Sequence, residues 1–455
     1  MNGSLPYDRH DPNDIERYAK ELIGKRFSDI YVPEENVKRI FSSSGNKADL
    51  GQYLERFYFL HETRSSKDPC FEEAGVELKV IPLEESKKGE FSTKESIVLN
   101  TIDYFTIVEE DWDSSSFLHK NRLLLLVFYL PGDTNERLDS VIKAVTLWDY
   151  GSNDLEIIKQ DWQKIVNKVR EGKAHELSER ETLYLGVCSM GVRCLSKRRQ
   201  PFSDKLARQK SFSLKSSYVN SIVSRIGCVA SVINARGELA LGSDFEDTIV
   251  ERFSKFQGLD VQSILLHVGK DLNPKAKSYY SGLAARMVGL STDKIEEFER
   301  GDIIVKAIRL RKDGMPKESM SFPYFKYKEI VEETWETSTF LGQLDRRFFF
   351  MVFQDDRNNI LRFKKVMFWA IPHSDLEEVR EVWEETVMRI KNGMADNLPR
   401  IRDNRICHIR PHALNSMDTC ETPQGEHLVK KSFWLNSTYI KEQIERPLFD
   451  TRFLS

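Results

Sequence analysis

The chain has 455 residues, 40% apolar and 31% charged, a balance ordinary for a globular protein and long enough for two to three cores. Its longest apolar run, Leu123 to Leu130, is strand-sized, so neither a membrane-spanning helix nor a membrane partner is expected. A net charge of −3 excludes a protein that grips nucleic acid over its whole surface. The polar stretch Met1 to Asn13 lacks the apolar core of a signal peptide, and the six cysteines are scattered without CxxC spacing. Both features point to a cytoplasmic protein with reduced thiols.

A first helix is expected over 14–22, where Ile15, Tyr18, Ala19 and Leu22 fall at helical spacing and Gly24 follows as a stop. Residues 41–47 read as a loop. A second helix takes Leu50, Tyr53, Leu54 and Phe57 as its buried stripe, with Glu55 beside it. The stretch Gly75-Val76-Glu77-Leu78-Lys79-Val80-Ile81-Pro82-Leu83 then forms a strand. Alternation points Val76, Leu78 and Val80 into a core, and Glu77 and Lys79 together to the other face. A carboxylate that binds a metal, beside an ammonium that handles protons or charge, is the pairing phosphodiester hydrolysis needs. On these residues alone, a strand facing solvent is the commoner explanation. Further strands are expected near 97–99, over 123–129 and over 144–148. A long amphipathic helix over 154–170 turns Leu155, Ile158, Trp162, Ile165 and Val169 inward before Gly172. Between Arg193 and Lys215, eight Lys and Arg stand against Asp204, a stretch that attracts a phosphate backbone or serves as a solvated loop.

This order of elements recurs. Phe71 to Leu83 aligns without gaps to Phe298 to Leu310, and Lys94-Glu95-Ser96 returns as Lys317-Glu318-Ser319. Glu109 to Leu118 returns as Glu332 to Leu341, and Lys143 to Trp148 as Lys364 to Trp369. Asp154, Trp162 and Gly172 match Asp375, Trp383 and Gly393; Ser211 to Val219 matches Ser432 to Ile440. Six blocks in one order imply two tandem copies of one fold, at 1–225 and 256–455, joined by a linker region at 226–255. The second copy has Ile304 where the first has Glu77, although Lys306 still matches Lys79. Isoleucine cannot bind a metal ion, so one copy is expected to cut and the other to bind.

Ala74-Gly75-Val76-Glu77-Leu78-Lys79, Glu55, Phe117-Leu118-His119-Lys120 and the late Ser-Phe-x-Leu-x-Ser-x-Tyr block resemble the MutH family. The whole chain resembles the family's two-domain relatives, restriction endonucleases of the Sau-three-A type; His175 to Glu179 and Cys407 to His412 share in that likeness. The resemblance implies an α/β fold class: two tandem restriction-endonuclease-like domains (PD-(D/E)xK, MutH-like), each a mixed β-sheet flanked by helices. It implies a type II restriction endonuclease that uses Mg2+ to cut double-stranded DNA at GATC. The C-terminal copy is then an inactive effector that binds a second DNA site, which leaves room for a DNA-induced dimer. Glu77 is implied as a metal ligand and Lys79 as the group that orients or deprotonates the attacking water. Glu55 matches the family's helix carboxylate, and Lys120 a second lysine near the scissile phosphate.

One position departs from the family. Its aspartate seven residues before the motif glutamate is here Cys70, and Asp68 lies two residues earlier. Mg2+ prefers oxygen over a thiolate: a shifted loop lets Asp68 act as the second metal ligand, the expectation here, and the alternatives are a weakened site or an altered form of the enzyme. The DNA-contacting candidates are Arg198, Arg199, Lys215, Arg410, His408 and His412. Arginine can pair two acceptors of a guanine or phosphate, and a solvated surface explains each single arginine equally well. Phe212, Tyr218, Phe433 and Tyr439 are expected in the core. A zinc site from Cys407, His408, His412 and Cys420 matches no common spacing. Two rival functions stay open: a MutH-like repair enzyme that nicks DNA, and a GATC-binding protein that does not cleave because Cys70 disables the metal site.

Overall fold

The computed structural model describes residues 5–30, 49–61, 67–132, 137–189, 197–227 and 245–446, with short breaks at 270–271, 275, 277 and 291–293. The chain divides into two compact units, Met1–Ala240 with Glu299–Asp302, and Leu241–Phe298 with Ile303–Ser455. The expected loop at 41–47 and the linker residues 228–244 lie outside the described residues. The rest of the expected linker differs from its reading: Phe245–Ser254 is a helix burying Phe245, Ile249 and Phe253. Their spacing of four puts all three on one helix face, a period too short to stand out in a mixed sequence. Among the described residues no helix is long and apolar enough to cross a membrane.

In the first unit, β1 (Val76–Pro82), β2 (Ile97–Thr101), β3 (Leu123–Leu130), β4 (Val141–Asp149), β5 (Leu185–Ser189) and β6 (Lys210–Leu214) form two three-stranded sheets. The first has the order β1-β3-β4 and the second the order β2-β6-β5. β1 runs parallel to β3, and β3 antiparallel to β4. A parallel neighbour requires a long crossover, which here carries the helix Ser116–Asn121. Leu124 to Phe128 of β3 are all buried, so this central strand is covered on both faces. That accounts for the longest apolar run in the sequence, where a half-exposed strand would alternate.

The first helix spans Pro12–Lys20, capped by the Asp11 carboxylate, and ends before Gly24, whose φ is +84°. The second, Asp49–Tyr53, widens into a π-helical turn over Leu54–Tyr58. The helix Gly151–Arg170 buries Ile158, Trp162, Ile165 and Val169 as expected; Leu155 is half-buried. It also buries Asp161 completely. The Asp161 carboxylate accepts hydrogen bonds from the backbone N–H groups of Leu183, Tyr184 and Leu185 at 2.8, 2.7 and 2.9 Å. These are the donors of the chain entering β5, which otherwise would be buried without acceptors.

In the second unit, β7 (Ile304–Leu310), β8 (Met320–Phe325), β9 (Phe348–Asp355), β10 (Leu361–Trp369), β11 (Cys407–Pro411) and β12 (Lys431–Leu435) repeat both strand orders, as β7-β9-β10 and β8-β12-β11. The register agrees with the sequence alignment at the position that matters. Glu77 lies opposite Leu124, which lies opposite Trp148; Ile304 lies opposite Phe348, which lies opposite Trp369. Packing recurs too. Trp112 and Trp162 sit with ring centroids 5.7 Å apart, and Trp335 and Trp383 5.8 Å apart. The Tyr218 hydroxyl donates to Asp154 at 3.0 Å, and that of Tyr439 to Asp375 at 2.8 Å. Phe212, Tyr218, Phe433 and Tyr439 are all buried, as expected of core residues. One role has changed hands: Val382 stands where the first unit has Asp161, and the Asn404 side chain accepts from Ile406 and Cys407 N–H at the entry to β11.

Candidate active site

Strand β1 begins with a tight reversal. The turn Glu72–Ala74 ends at Gly75, whose φ of +66° is a left-handed conformation that glycine adopts without strain. Phe71 and Val76 then exchange backbone hydrogen bonds of 2.8 and 3.1 Å, which fold Cys70 back alongside Glu77. The Cys70 backbone N–H donates to Glu77 Oε2 at 2.9 Å. Simple alternation put Glu77 on a face away from the core, yet it is only 4% exposed. The reason is tertiary: the π-helical turn brings Glu55, 8% exposed, against the same spot. Insertion of one residue into a helical turn is a recurrent device at functional sites.

Cys70 joins the two carboxylates. Its Sγ lies 3.2 Å from Glu55 Oε1 and 3.2 Å from Glu77 Oε2, so its single S–H is shared between two acids. Burial first, and then the neighbouring charges of Glu77 and Glu55, push the thiol far above its ordinary pKa, which keeps it protonated. Two cations face the other oxygen of Glu77: Lys79 Nζ at 3.0 Å and Lys120 Nζ at 3.7 Å. Lys120 is delivered by the helix Ser116–Asn121, whose first turn is capped by Ser115 accepting from Leu118 N–H at 3.2 Å. The structure therefore brings together Glu55, Glu77, Lys79 and Lys120 from three separate elements.

Asp68 takes a different place. Its carboxylate meets His119 Nε2 at 3.1 Å, and the residue packed against Glu77 and Glu55 is Cys70. Among the described residues no three or more His, Cys, Asp and Glu side chains are laid out as a metal site. The carboxylates of Glu77 and Glu55 suit a divalent cation, which takes one or two such groups together with waters. The donor that fits Mg2+ poorly is the sulfur between them.

The nucleic-acid candidates separate into two kinds. Arg198 and Arg199 are exposed on a hairpin, Lys197–Gln200 paired with Ser203–Arg208. Gln200 anchors that hairpin: it is buried, accepts from Ala174 N–H at 2.7 Å and donates to the Lys205 carbonyl at 2.6 Å. At its tip Phe202 is 71% exposed, an apolar side chain among cations that the sequence reading passed over. Arg410 is also exposed, its guanidinium 4.3 Å from the Trp434 ring centre, and the exposed His412 ring lies 5.4 Å from the same indole. Lys215 and His408 are corrections. Lys215 is buried and its ammonium donates to the Thr182 carbonyl at 2.6 Å. His408 is buried on β11, with Nδ1 2.5 Å from Asn436 Oδ1. Both polar groups meet needs inside the protein, as buried groups must. Burial also leaves the Cys407 thiol in the core, away from any zinc-like arrangement with an exposed His412.

Comparison with known proteins decides the family. The chain is 32% identical to the "Type II restriction enzyme Sau3AI" of Staphylococcus aureus, across 95% of this chain and 98% of that protein. The family model for the DNA mismatch repair enzyme MutH matches residues 59–161 and again 289–381. The chain belongs to the Sau3AI-like family of MutH-type restriction endonucleases. The MutH proteins themselves are partial relatives. That of Shewanella woodyi is 26% identical over 48% of this chain, and that of Shewanella putrefaciens 30% identical over 43%. Those matches cover 94% and 84% of the two MutH proteins, so each is about the size of one unit here. Membership in the family makes the chain a nuclease that acts on DNA, and both segments matched by the MutH model contain a β1-like strand.

Proposed function

We propose that the chain is a type II restriction endonuclease that cuts double-stranded DNA at GATC with a divalent cation, Mg2+ in the simplest case. In this reading, two tandem MutH-like domains divide the work. Residues 1–225 form the catalytic domain, and residues 256–455 form an inactive domain that binds a second DNA site as an allosteric effector. The observation that carries it is the register match of Glu77 with Ile304 inside otherwise repeated packing. A carboxylate buried with two lysines in one unit, and an aliphatic side chain at the same point in the other, is what a cutting copy and a binding copy require.

Hydrolysis of a phosphodiester needs a positioned water, in-line attack and relief of negative charge at phosphorus. When bound, the cation supplies Lewis acidity and a more acidic water, and Glu77 with Glu55 would hold it. Lys79, whose ammonium donates to Glu77 at 3.0 Å, is the group proposed to orient that water and handle its proton. Lys120 answers the charge that grows on the phosphate oxygens. Among these four groups two carboxylates balance two ammoniums, so an added dication gives a net positive site for a phosphate. An open groove of about 520 Å3 lined by Gly75, Asp113, Leu118, His119 and Arg122 is the path proposed for the DNA backbone. Arg198 and Arg199 extend the same attraction from their hairpin, and Arg410 and His412 are the contacts proposed for the second site.

Supercoiled plasmids with no, one or two GATC sites test this reading in the presence of Mg2+ or Mn2+. The site-free plasmid is expected to survive, and the two-site plasmid to be linearised several-fold faster than the one-site plasmid. Equal rates on one and two sites overturn the effector role; cutting of the site-free plasmid overturns the specificity.

A further inference from the structure

We propose that Cys70 sets the cation preference of the active site, moving it away from hard ions such as Mg2+ toward thiophilic divalent ions; this rests on the nuclease reading above. Three donors converge here. Cys70 Sγ is 3.2 Å from an oxygen of Glu55 and 3.2 Å from an oxygen of Glu77, and both carboxylates are more than nine-tenths buried. The thiol thus touches both acids at once.

The backbone that carries the sulfur is held in place. Its own backbone N–H is tied to Glu77 Oε2 at 2.9 Å, and the Phe71–Val76 bridge holds the turn that follows. With the side chain as it lies here, an ion between Glu55 and Glu77 would have the sulfur as its neighbour. Mg2+ demands near-ideal octahedral oxygen coordination and gains little from a thiol, whereas soft and borderline ions gain from it. A sulfur–metal bond at this position would form only with release of the S–H proton to buffer. Cys70 is thus a specificity-determining residue for the cation.

The test compares the full chain with Cys70→Ser and Cys70→Asp, using Cd2+ as the thiophilic probe and Mg2+ as the hard one. Ultraviolet difference spectra read the cadmium–thiolate absorption, and calorimetry reads both affinities. The unsubstituted protein is expected to show an absorption band that Cys70→Ser lacks. The ratio of Cd2+ to Mg2+ affinity is expected to fall at least about tenfold in Cys70→Asp, the size of effect a changed ligand shell produces. Cleavage of a GATC plasmid in Mg2+ is expected to rise at least about tenfold in the same variant, back to the level of a complete oxygen set. An unchanged affinity ratio together with identical Cd2+ spectra for the parent and Cys70→Ser overturns the proposal. The two readings fail separately. A Cd2+ signal from Cys70 with no cleavage by any variant and any ion defeats the nuclease reading alone. Mg2+-driven cleavage without the signal defeats the cation preference alone.

Discussion

Glu77→Gln is expected to lower the rate of DNA cleavage at least about 10³-fold, equivalent to about 4 kcal/mol added to the barrier. The amide has the size of the acid and can still accept from the Cys70 N–H, so the turn at Gly75 stays in place. What it loses is charge. Lys79 and Lys120 no longer share a carboxylate oxygen, and a divalent cation loses one of two acids that can hold it. Binding to GATC DNA, measured by gel shift, is expected to stay within about tenfold of the parent, because phosphate contacts carry most of that affinity. Ile304→Ala, the matched change in the second unit, is expected to leave single-turnover cleavage within about twofold. Near-parental cleavage by Glu77→Gln would remove β1 from the chemistry.

Asp161→Ala is expected to destabilise the first unit by about 3–5 kcal/mol, since three buried backbone N–H groups lose their acceptor together. For a unit of this size that shifts the unfolding midpoint down by about 10 °C. Asp161→Asn keeps one acceptor oxygen and is expected to lose less than half as much. Scanning calorimetry on the full chain checks both, with the second unit as an internal control, because Asn404 does the corresponding work there. An alanine variant that melts with the parent would show that the chain entering β5 finds other acceptors.

These two residues also mark what the sequence made legible. Glu77 stood out because an acid and an amine alternate with apolar residues on one strand, and because its repeat partner is isoleucine. Its burial did not stand out, since that depends on the π-helical turn delivering Glu55 from a distant part of the chain. Asp161 lies beside the inward stripe of its helix, where a carboxylate gives no sign of its partners; only the path of residues 183–185 makes it a buried acceptor. Lys215 and His408 misled for the same reason in reverse. Each has the chemistry of a DNA contact, and each is turned inward to a carbonyl or an amide that lies far away in sequence. Cys70 was visible as a departure from the family pattern, but its contact with both acids is a product of the Phe71–Val76 turn. Periodicity and repetition thus expose strands, helices and equivalent positions, whereas the partners of a buried polar group are set by long-range packing.

Sequencing the ends of DNA cut by the purified chain is the most direct trial of the account. A digest of plasmid DNA with Mn2+ or Mg2+ is expected to give breaks in both strands whose ends all fall at GATC, and none when Glu77→Gln replaces the parent. Ends scattered over unrelated sequences, or the same GATC breaks from the Glu77→Gln protein, would contradict it.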